Sequence, residues 1–402
     1  MTAPITLRGA GLGAGGLLLT GAAFVFGYPE LAVLGTSAVI AVVFALTYGL
    51  WRPKLDVNRT ADPDRVGRGD GSRVTLSVRN ASRFLAASMI AEDVCGRVDL
   101  DGLADAAVVP VPVLRLRAGT TTDVAYAVPT RRRGVVQVGP LRVNRRDPLG
   151  LISFARDHGG VARIWVHPRI HPMQAVPAGV TRSMDGRVDR VPHGSITFDT
   201  LREYVIGDEL RHVHWRTSAK VGELMVREHL DTSLPRIVVL LDDRAASYPA
   251  PESPGGEVAA FESACESAAS VIAAAVREDL PVVLHTVGGA AVAHQRGSAQ
   301  AHLDTLAEAV LRPDGGGEIL VEAANRLRQH RPGDTLVYLT GLRGLTDLGV
   351  ISALQGAFPS VVAGVLGPFE PGEGQTGGAG MLMLRAEDGP DFAAEWDGVG
   401  RW

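Results

Sequence analysis

Residues 236–243 read RIVVLLDD, five consecutive apolar side chains closed by two aspartates. An uninterrupted apolar run of this length lacks the in-out alternation of a half-exposed strand. It is the pattern of a central parallel strand covered on both faces. Downstream, an Ala-rich amphipathic helix is predicted over 258–276, a strand over 281–286, and helices within 299–311 and 319–329. A strand over 335–340, a helix near 345–357 and a strand over 361–366 continue the order. Strands alternating with helices predict an α/β domain with a doubly wound sheet over residues 234–367. Residues 368–380 are mostly Gly, Glu and Pro, and 368–402 reads as a C-terminal tail carrying a short strand at 381–384 and a short helix over 391–396.

Upstream, the pattern changes twice. Residues 54–165 show period-two alternation, with Val74, Leu76 and Val78 in one run and Val124, Tyr126 and Val128 in another. Closely spaced strands without a long amphipathic helix predict a small antiparallel β-sandwich. The run Arg131-Arg132-Arg133 is its one basic cluster, a candidate for anionic headgroups. Residues 1–53 hold two apolar runs, 9–28 and 31–51, each near the ~20 residues that cross a bilayer as a helix. Only Pro29 and Glu30 separate them, so the pair is predicted to be an antiparallel transmembrane hairpin. Arg8 precedes the first run and Arg52, Lys54 and Arg59 follow the second, while the turn carries neither Lys nor Arg. The positive-inside rule then places both ends, and the domains beyond them, in the cytoplasm. Gly9, Gly11, Gly13 and Gly15 offer small-xxx-small spacings for close helix approach.

The 402 residues carry a formal net charge of −4, which gives no electrostatic reason to expect nucleic acid as a partner. Cys95 and Cys265 form neither a metal nor a disulfide pattern and read as small buried hydrophobes in a reducing compartment. Histidines at 167, 171, 193, 212, 214 and 229 lack an HExxH or any closed ligand set. His212 and His214, two apart on an expected strand, would share a face.

Between the β and α/β domains, residues 166–233 read as a connector. His167-Pro168 and His171-Pro172 make its start extended, and 200–230 contains five basic and five acidic side chains. That balance fits a self-paired network or a surface shaped for another protein, since nucleic-acid surfaces are lopsidedly basic. The candidate interaction residues are Arg202, Glu203, Tyr204, Asp208, Arg211, Trp215, Arg216 and Lys220. Aromatic and Arg residues together are what interfaces prefer.

These residues, in the blocks Leu201-Arg202-Glu203-Tyr204, Gly207-Asp208 and Trp215-Arg216-Thr217-Ser218-Ala219-Lys220, resemble the signature of the bacterial family known as domain of unknown function 58. Arg133-Gly134, Gly139-Pro140 and Asp147-Pro148-Leu149-Gly150-Leu151 resemble a second block of it. The resemblance implies that 234–367 is a von Willebrand factor A-like domain. Such domains often carry a metal-ion-dependent adhesion site built on Asp-x-Ser-x-Ser. In this chain Asp242 fits that pattern, but Arg244 and Ala246 stand at the hydroxyl positions; in the frame shifted by one, Asp243 and Ser247 fit but Ala245 does not. Glu318 takes the place of the threonine of a Gly-Gly-Thr turn, and Thr340-Gly341 replaces the later acidic residue. A degenerate site at Asp242, Asp243 and Glu318, with no metal and no cofactor, is therefore expected. The resemblance further implies a bacterial membrane protein working beside a MoxR-class AAA+ ATPase and other membrane proteins in assembly or maturation. The chain has no Walker-type loop of its own. A non-enzymatic, membrane-anchored interaction module is the expected function. A structural envelope protein is the alternative, and a hydrolase using His212 or His214 with Asp208 is a further one.

Overall fold

The computed structural model describes residues 5–50, 54–82, 90–100, 102–111, 116–147, 149–174, 180–183, 188–190, 199–204, 213–231, 236–250, 258–293, 299–313, 316–330, 333–369 and 381–399. It divides into two units, Met1–Val166 and His167–Trp402.

The first unit begins with two helices, α1 (Leu7–Phe26) and α2 (Pro29–Leu50), both long and apolar enough to cross a membrane. They run back to back, but not through the glycines that the spacing favours. A Cβ would meet nothing at Gly11 or Gly15. The close approach is at Gly16 and Gly35, where a Cβ on Gly35 would strike the backbone of Thr20 and Gly16. Gly9 instead makes room for the carbonyl of Leu151. Thr6 caps α1 by accepting from the Gly9 N–H, and its hydroxyl donates to the carbonyls of Gly150 and Leu151. Ala45 of α2 packs with Leu151 and Ile152. The turn holding those residues is itself organised by Asp147, whose carboxylate accepts from the N–H groups of Leu149 and Ile152.

Beyond the helices, β1 (Leu55–Asp62), β3 (Ser72–Asn80) and β6 (Thr121–Val128) form a three-stranded antiparallel sheet in the order β1-β3-β6. A second sheet has the order β2-β9-β7-β4-β5, from β2 (Arg65–Gly67), β4 (Ile90–Asp99), β5 (Gly102–Val111), β7 (Gly134–Arg146) and β9 (Ala162–His167). The strand β8 (Ser153–His158) also pairs with β7. Inward residues of the two sheets share cores. Leu76 and Val78 pack with Ala91, Leu141 and Val143, and Val74 packs with Cys95, Val138 and Ile164.

A buried ion pair ties these sheets. Arg59 of β1 holds Asp93 of β4 through both carboxylate oxygens, with the closest approach 2.7 Å and neither side chain more than 4% exposed. Tyr126 of β6 donates its hydroxyl to the same carboxylate, and Arg59 also donates to the Gly160 carbonyl. Burial, the hydrogen bond to Asp93 and its charge push the Tyr126 phenol well above its usual range. Gly139 is required beside them, because its φ is +101° and a Cβ would collide with the Arg59 guanidinium. Of the basic run at 131–133, Arg133 is buried and Arg132 pairs with Asp105 at 2.9 Å, so the run is not a free cationic patch.

The second unit holds a four-stranded antiparallel sheet, β11-β10-β13-β12, of β10 (Val180–Ser183), β11 (Val188–Arg190), β12 (Asp199–Glu203) and β13 (Met225–Asp231). The stretch expected as a connector thus carries strands. It also carries a helix, α3 (Trp215–Val221).

The α/β sheet follows the alternation read from the sequence. Its elements are β14 (Ile237–Leu241), α4 (Ala259–Arg277), β15 (Val282–Thr286), β16 (Ala291–Ala293), α5 (Gln300–Glu308) and α6 (Gly317–His330). Then come β17 (Thr335–Gly341), α7 (Leu348–Ser352), β18 (Ser360–Leu366), β19 (Leu382–Ala386) and α8 (Gly389–Asp397). The order is β16-β15-β14-β17-β18-β19, parallel except for β16 at one edge. Every residue of β14 is buried, as expected for a strand covered on both faces. The expected tail is corrected, since β19 completes the sheet beside β18 and Phe392 and Trp396 of α8 lie in its core. The apolar helix α4 meets the length and hydropathy of a membrane span, yet it is buried in this core, also from the side of residues 171–174. There the His171 N–H donates to Ser270, its ring meets Glu266 at 2.9 Å, and Arg277 donates to the Met173 carbonyl.

Arg59→Ala should destabilise the first unit by about 3–5 kcal/mol, because it strands a buried carboxylate. Chemical denaturation of the full chain in detergent, followed by fluorescence, measures this. A loss below about 1 kcal/mol, the range of exposed pairs, would show that the pair is not buried.

Candidate functional site

Two places carry the residues that the sequence singles out. The first is the segment 199–231. Arg202 and Glu203 lie on β12, where their backbones pair with Val226 and Met225. The Tyr204 N–H extends the pairing by donating to Leu224. Asp208, Arg211 and His212 lie outside the described residues. His214 is not on a strand, because its ring caps α3 by accepting from the Thr217 N–H and meeting the Thr217 hydroxyl at 2.8 Å. Gly222 ends the helix in the left-handed conformation. Ser218 is the buried anchor, accepting from the Met225 N–H at 2.8 Å. The opposite side of α3 faces outward. Trp215 is 63% exposed, flanked by exposed Arg216 and Lys220, with Val221 and Leu224 also exposed nearby.

The second place is the C-terminal end of β14, beside β17, where the strand order reverses and open α/β sheets place their ligand sites. Asp242 is fully buried at this point. One carboxylate oxygen accepts from Ser247 at 2.7 Å, Tyr338 at 2.7 Å, Thr340 at 2.8 Å and the Arg244 Nη2 at 2.8 Å. The other accepts from Arg244 Nε at 2.9 Å and from the Arg244 backbone N–H. Arg244 itself is only 2% exposed, and its Nη1 reaches Asp347 at 2.9 Å. Tyr248 donates to the Asp242 carbonyl and closes the loop.

Burial alone would raise the Asp242 carboxyl. The guanidinium and the hydroxyl donors more than offset this and hold it below its ordinary value. Burial would lower Arg244, but Asp242 and Asp347 push it above its ordinary value instead. Both groups therefore stay charged. The neighbouring Asp243 behaves oppositely. Its burial raises it, although the Gly288 N–H donates to it at 2.7 Å and Arg312 lies 3.2 Å away.

A hard divalent cation would need these oxygens as ligands. Asp242, Ser247, Thr340 and Asp347 are the right types, but Asp242 and Asp347 already pair with the Arg244 guanidinium, and the Ser247 and Thr340 hydroxyls are spent as donors to Asp242. The donor set therefore does not fit a metal while Arg244 is in place. Glu318 does not belong to the cluster, since it lies exposed in the first turn of α6 and forms no hydrogen bond or ion pair with it. Ser247, Tyr338, Thr340 and Asp347 do belong; motif position marks Ser247 and Thr340, and sequence reasoning misses Tyr338 and Asp347. Among the described residues, no group of His, Cys, Asp or Glu side chains forms a metal cluster.

Residues 200–340, which include α3 and the Asp242 cluster apart from Asp347, match the model of the family described as "Protein of unknown function DUF58". This supports the resemblance drawn from the signature residues. No curated protein matches the chain. Among solved structures, an alkylpurine DNA glycosylase of Pseudomonas fluorescens is 11% identical, with 34% of this chain and 39% of that one covered and a TM-score of 0.24. A putative ApaA protein of Bordetella pertussis is 14% identical over 28% of this chain and 94% of its own, with a TM-score of 0.21. A CARDB domain from Pyrococcus furiosus is 13% identical over 28% and 93%, with a TM-score of 0.19. None of these likenesses bears on function.

Arg244→Ser should strand Asp242 and cost about 3–5 kcal/mol of stability. If the guanidinium stands in for a cation, millimolar Mg²⁺ will restore part of the loss in the variant and leave the wild type unchanged. Thermal unfolding with and without Mg²⁺ decides, and Mg²⁺ stabilisation of the wild type would refute the substitution.

Proposed function

We propose that this chain is a membrane-anchored, non-enzymatic protein-interaction module, an accessory partner of a MoxR-class AAA+ ATPase in the assembly or maturation of other proteins. The observation that carries the reading is the outward face of α3. A tryptophan 63% exposed, on the same short helix as the exposed Arg216 and Lys220, is costly to leave in water, and Trp and Arg are the residues on which interfaces concentrate their energy. The face lies inside the stretch that matches the family model. Co-purification from detergent extract tests it. An AAA+ ATPase should be recovered with the wild type and lost at least about fivefold with Trp215→Ala or Arg216→Ala, while thermal unfolding stays unchanged, as expected for exposed side chains. Equal recovery by the variants would overturn the surface assignment. Recovery of no ATPase would leave the structural envelope protein as the better reading.

Of the residues in the hydrolase alternative, His214 is committed to capping α3, while His212 and Asp208 lie outside the described residues. In the same reading, the two packed β sheets of the first unit are an antiparallel sandwich. The sheet β16-β15-β14-β17-β18-β19, with its antiparallel edge, is the von Willebrand factor A arrangement.

The helices α1 and α2 are read as a transmembrane hairpin of a bacterial membrane with both soluble parts cytoplasmic, following the charge asymmetry around them. Native cysteines cannot report this topology. Cys95 and Cys265 are buried, and burial with the nearby Asp93 charge pushes the Cys95 thiol up to about 11. A cysteine at the exposed position Glu395 serves instead. In intact cells, Glu395→Cys should resist a membrane-impermeant maleimide and react after permeabilisation. Labelling before permeabilisation would invert the topology.

A further inference from the structure

The α/β sheet has an unfilled groove on the face that α6 covers. On β15 the burial alternates, so that Val282 and Leu284 turn into the core beneath α4 while Val283 and His285 stay half-buried on the other side. His285 stands level with Leu240 on β14 and Ala291 on β16, which places the three in one row across the sheet. Opposite them, α6 presents Ala323, Arg326, Leu327 and His330, a single stripe at helical spacing. Between strands and helix lies a cavity of about 410 Å³, in the range of small-molecule sites.

Its chemistry is sharply divided. The floor is apolar, made by Leu240, Val283, Ala291, Ala323 and Leu327. The polar rim is cationic or titratable, with Arg236, Arg326, His285 and His330, and no carboxylate lines the cavity. Two acids touch lining residues from outside the cavity. Glu322 approaches Arg326 at 3.5 Å as an exposed pair, and Asp334 accepts from the Arg236 backbone N–H. The last turn of α6 borders the cavity, so the helix dipole places partial negative charge there. That partial charge opposes any anion, so the two arginines must outweigh it, and they suit one negative charge on an apolar body better than a polyphosphate.

We infer that this groove binds a small amphiphilic carboxylate, its apolar part on the Leu240–Val283–Ala291 floor and its carboxylate among Arg326, Arg236 and the two histidines. This site is separate from the α3 face, and its occupancy does not depend on the interaction reading. His285 is a built-in reporter. Burial, then the charges of Arg326 and His330, hold its imidazole below the ordinary value. An anion seated beside it would stabilise the imidazolium and raise it.

Trifluoromethylbenzoate, followed by fluorine NMR with the full chain in detergent, tests the inference. Saturable binding is expected for the wild type. It should weaken at least about tenfold in Arg326→Glu, which removes a charged hydrogen-bond donor, and for the neutral trifluoromethylbenzamide probe. Ala291→Trp, which adds bulk at the exposed edge-strand end of the floor, should also abolish it. Thermal unfolding of both variants checks that each is folded, and the His285 imidazole signal should titrate at higher pH with probe bound. Absence of saturable binding by the wild type overturns the inference. So does equal binding by all three proteins, which is partition into detergent, or binding of the amide as tightly as the acid.

Discussion

The contact on which the α/β unit turns is the ion pair between Asp242 and Arg244, two residues apart and both sealed from water. A buried pair is not in itself a strong source of stability, because desolvation consumes much of the Coulomb attraction. What it supplies is definition. Asp242 draws in side chains from its own loop and from β17, and Arg244 reaches on to Asp347, the last residue of the 3-10 turn Leu342–Asp347. Three segments are thereby held at the end of the central strand, at the place where such a sheet would otherwise keep an open ligand site.

The β unit solves a related problem with the same chemistry. Arg59, Asp93 and Tyr126 come from three strands in two sheets, and each satisfies the others inside an apolar core. Apolar packing tolerates many registers, whereas a charge in the core tolerates one partner geometry. The pair therefore selects which residues of β1 and β4 oppose each other, while Leu76, Val138 and their neighbours provide the bulk of the burial.

How much of this was legible depended on the range of the interaction. The buried strand at 237–241 and the helices and strands after it are local patterns, and they stand close to where periodicity placed them. The apolar spans were equally plain, since length and hydropathy are summed along the chain. Pairings across distance were not. Asp242 meets Tyr338 and Thr340, 96 and 98 positions away; motif position marked Thr340 only as a lost acidic ligand, and nothing in the linear sequence announced Tyr338. Glu318 was assigned to the cluster by motif position alone, and the fold leaves it on the surface. Glycine spacing along 9–15 misled for a comparable reason, because which glycines face the second helix depends on the turn and on the tie at Leu151. At α3, a two-residue histidine spacing looked like a strand, but the ring of His214 satisfies the N–H group that a helix start leaves free.

The knot between Thr6 and the turn at 147–152 has a mechanical meaning. Both the hydroxyl and the N–H of Thr6 are bound to that turn, Ile5 bridges to Ile152, and Ala45 packs against it from the end of the second helix. The helical pair therefore meets the β sheets at this turn from both helices, through Thr6 and Ile5 on one side and Ala45 on the other. A torque applied to either helix passes into β7 and β8, which this turn joins, so the pair and the sheets rotate as one lever.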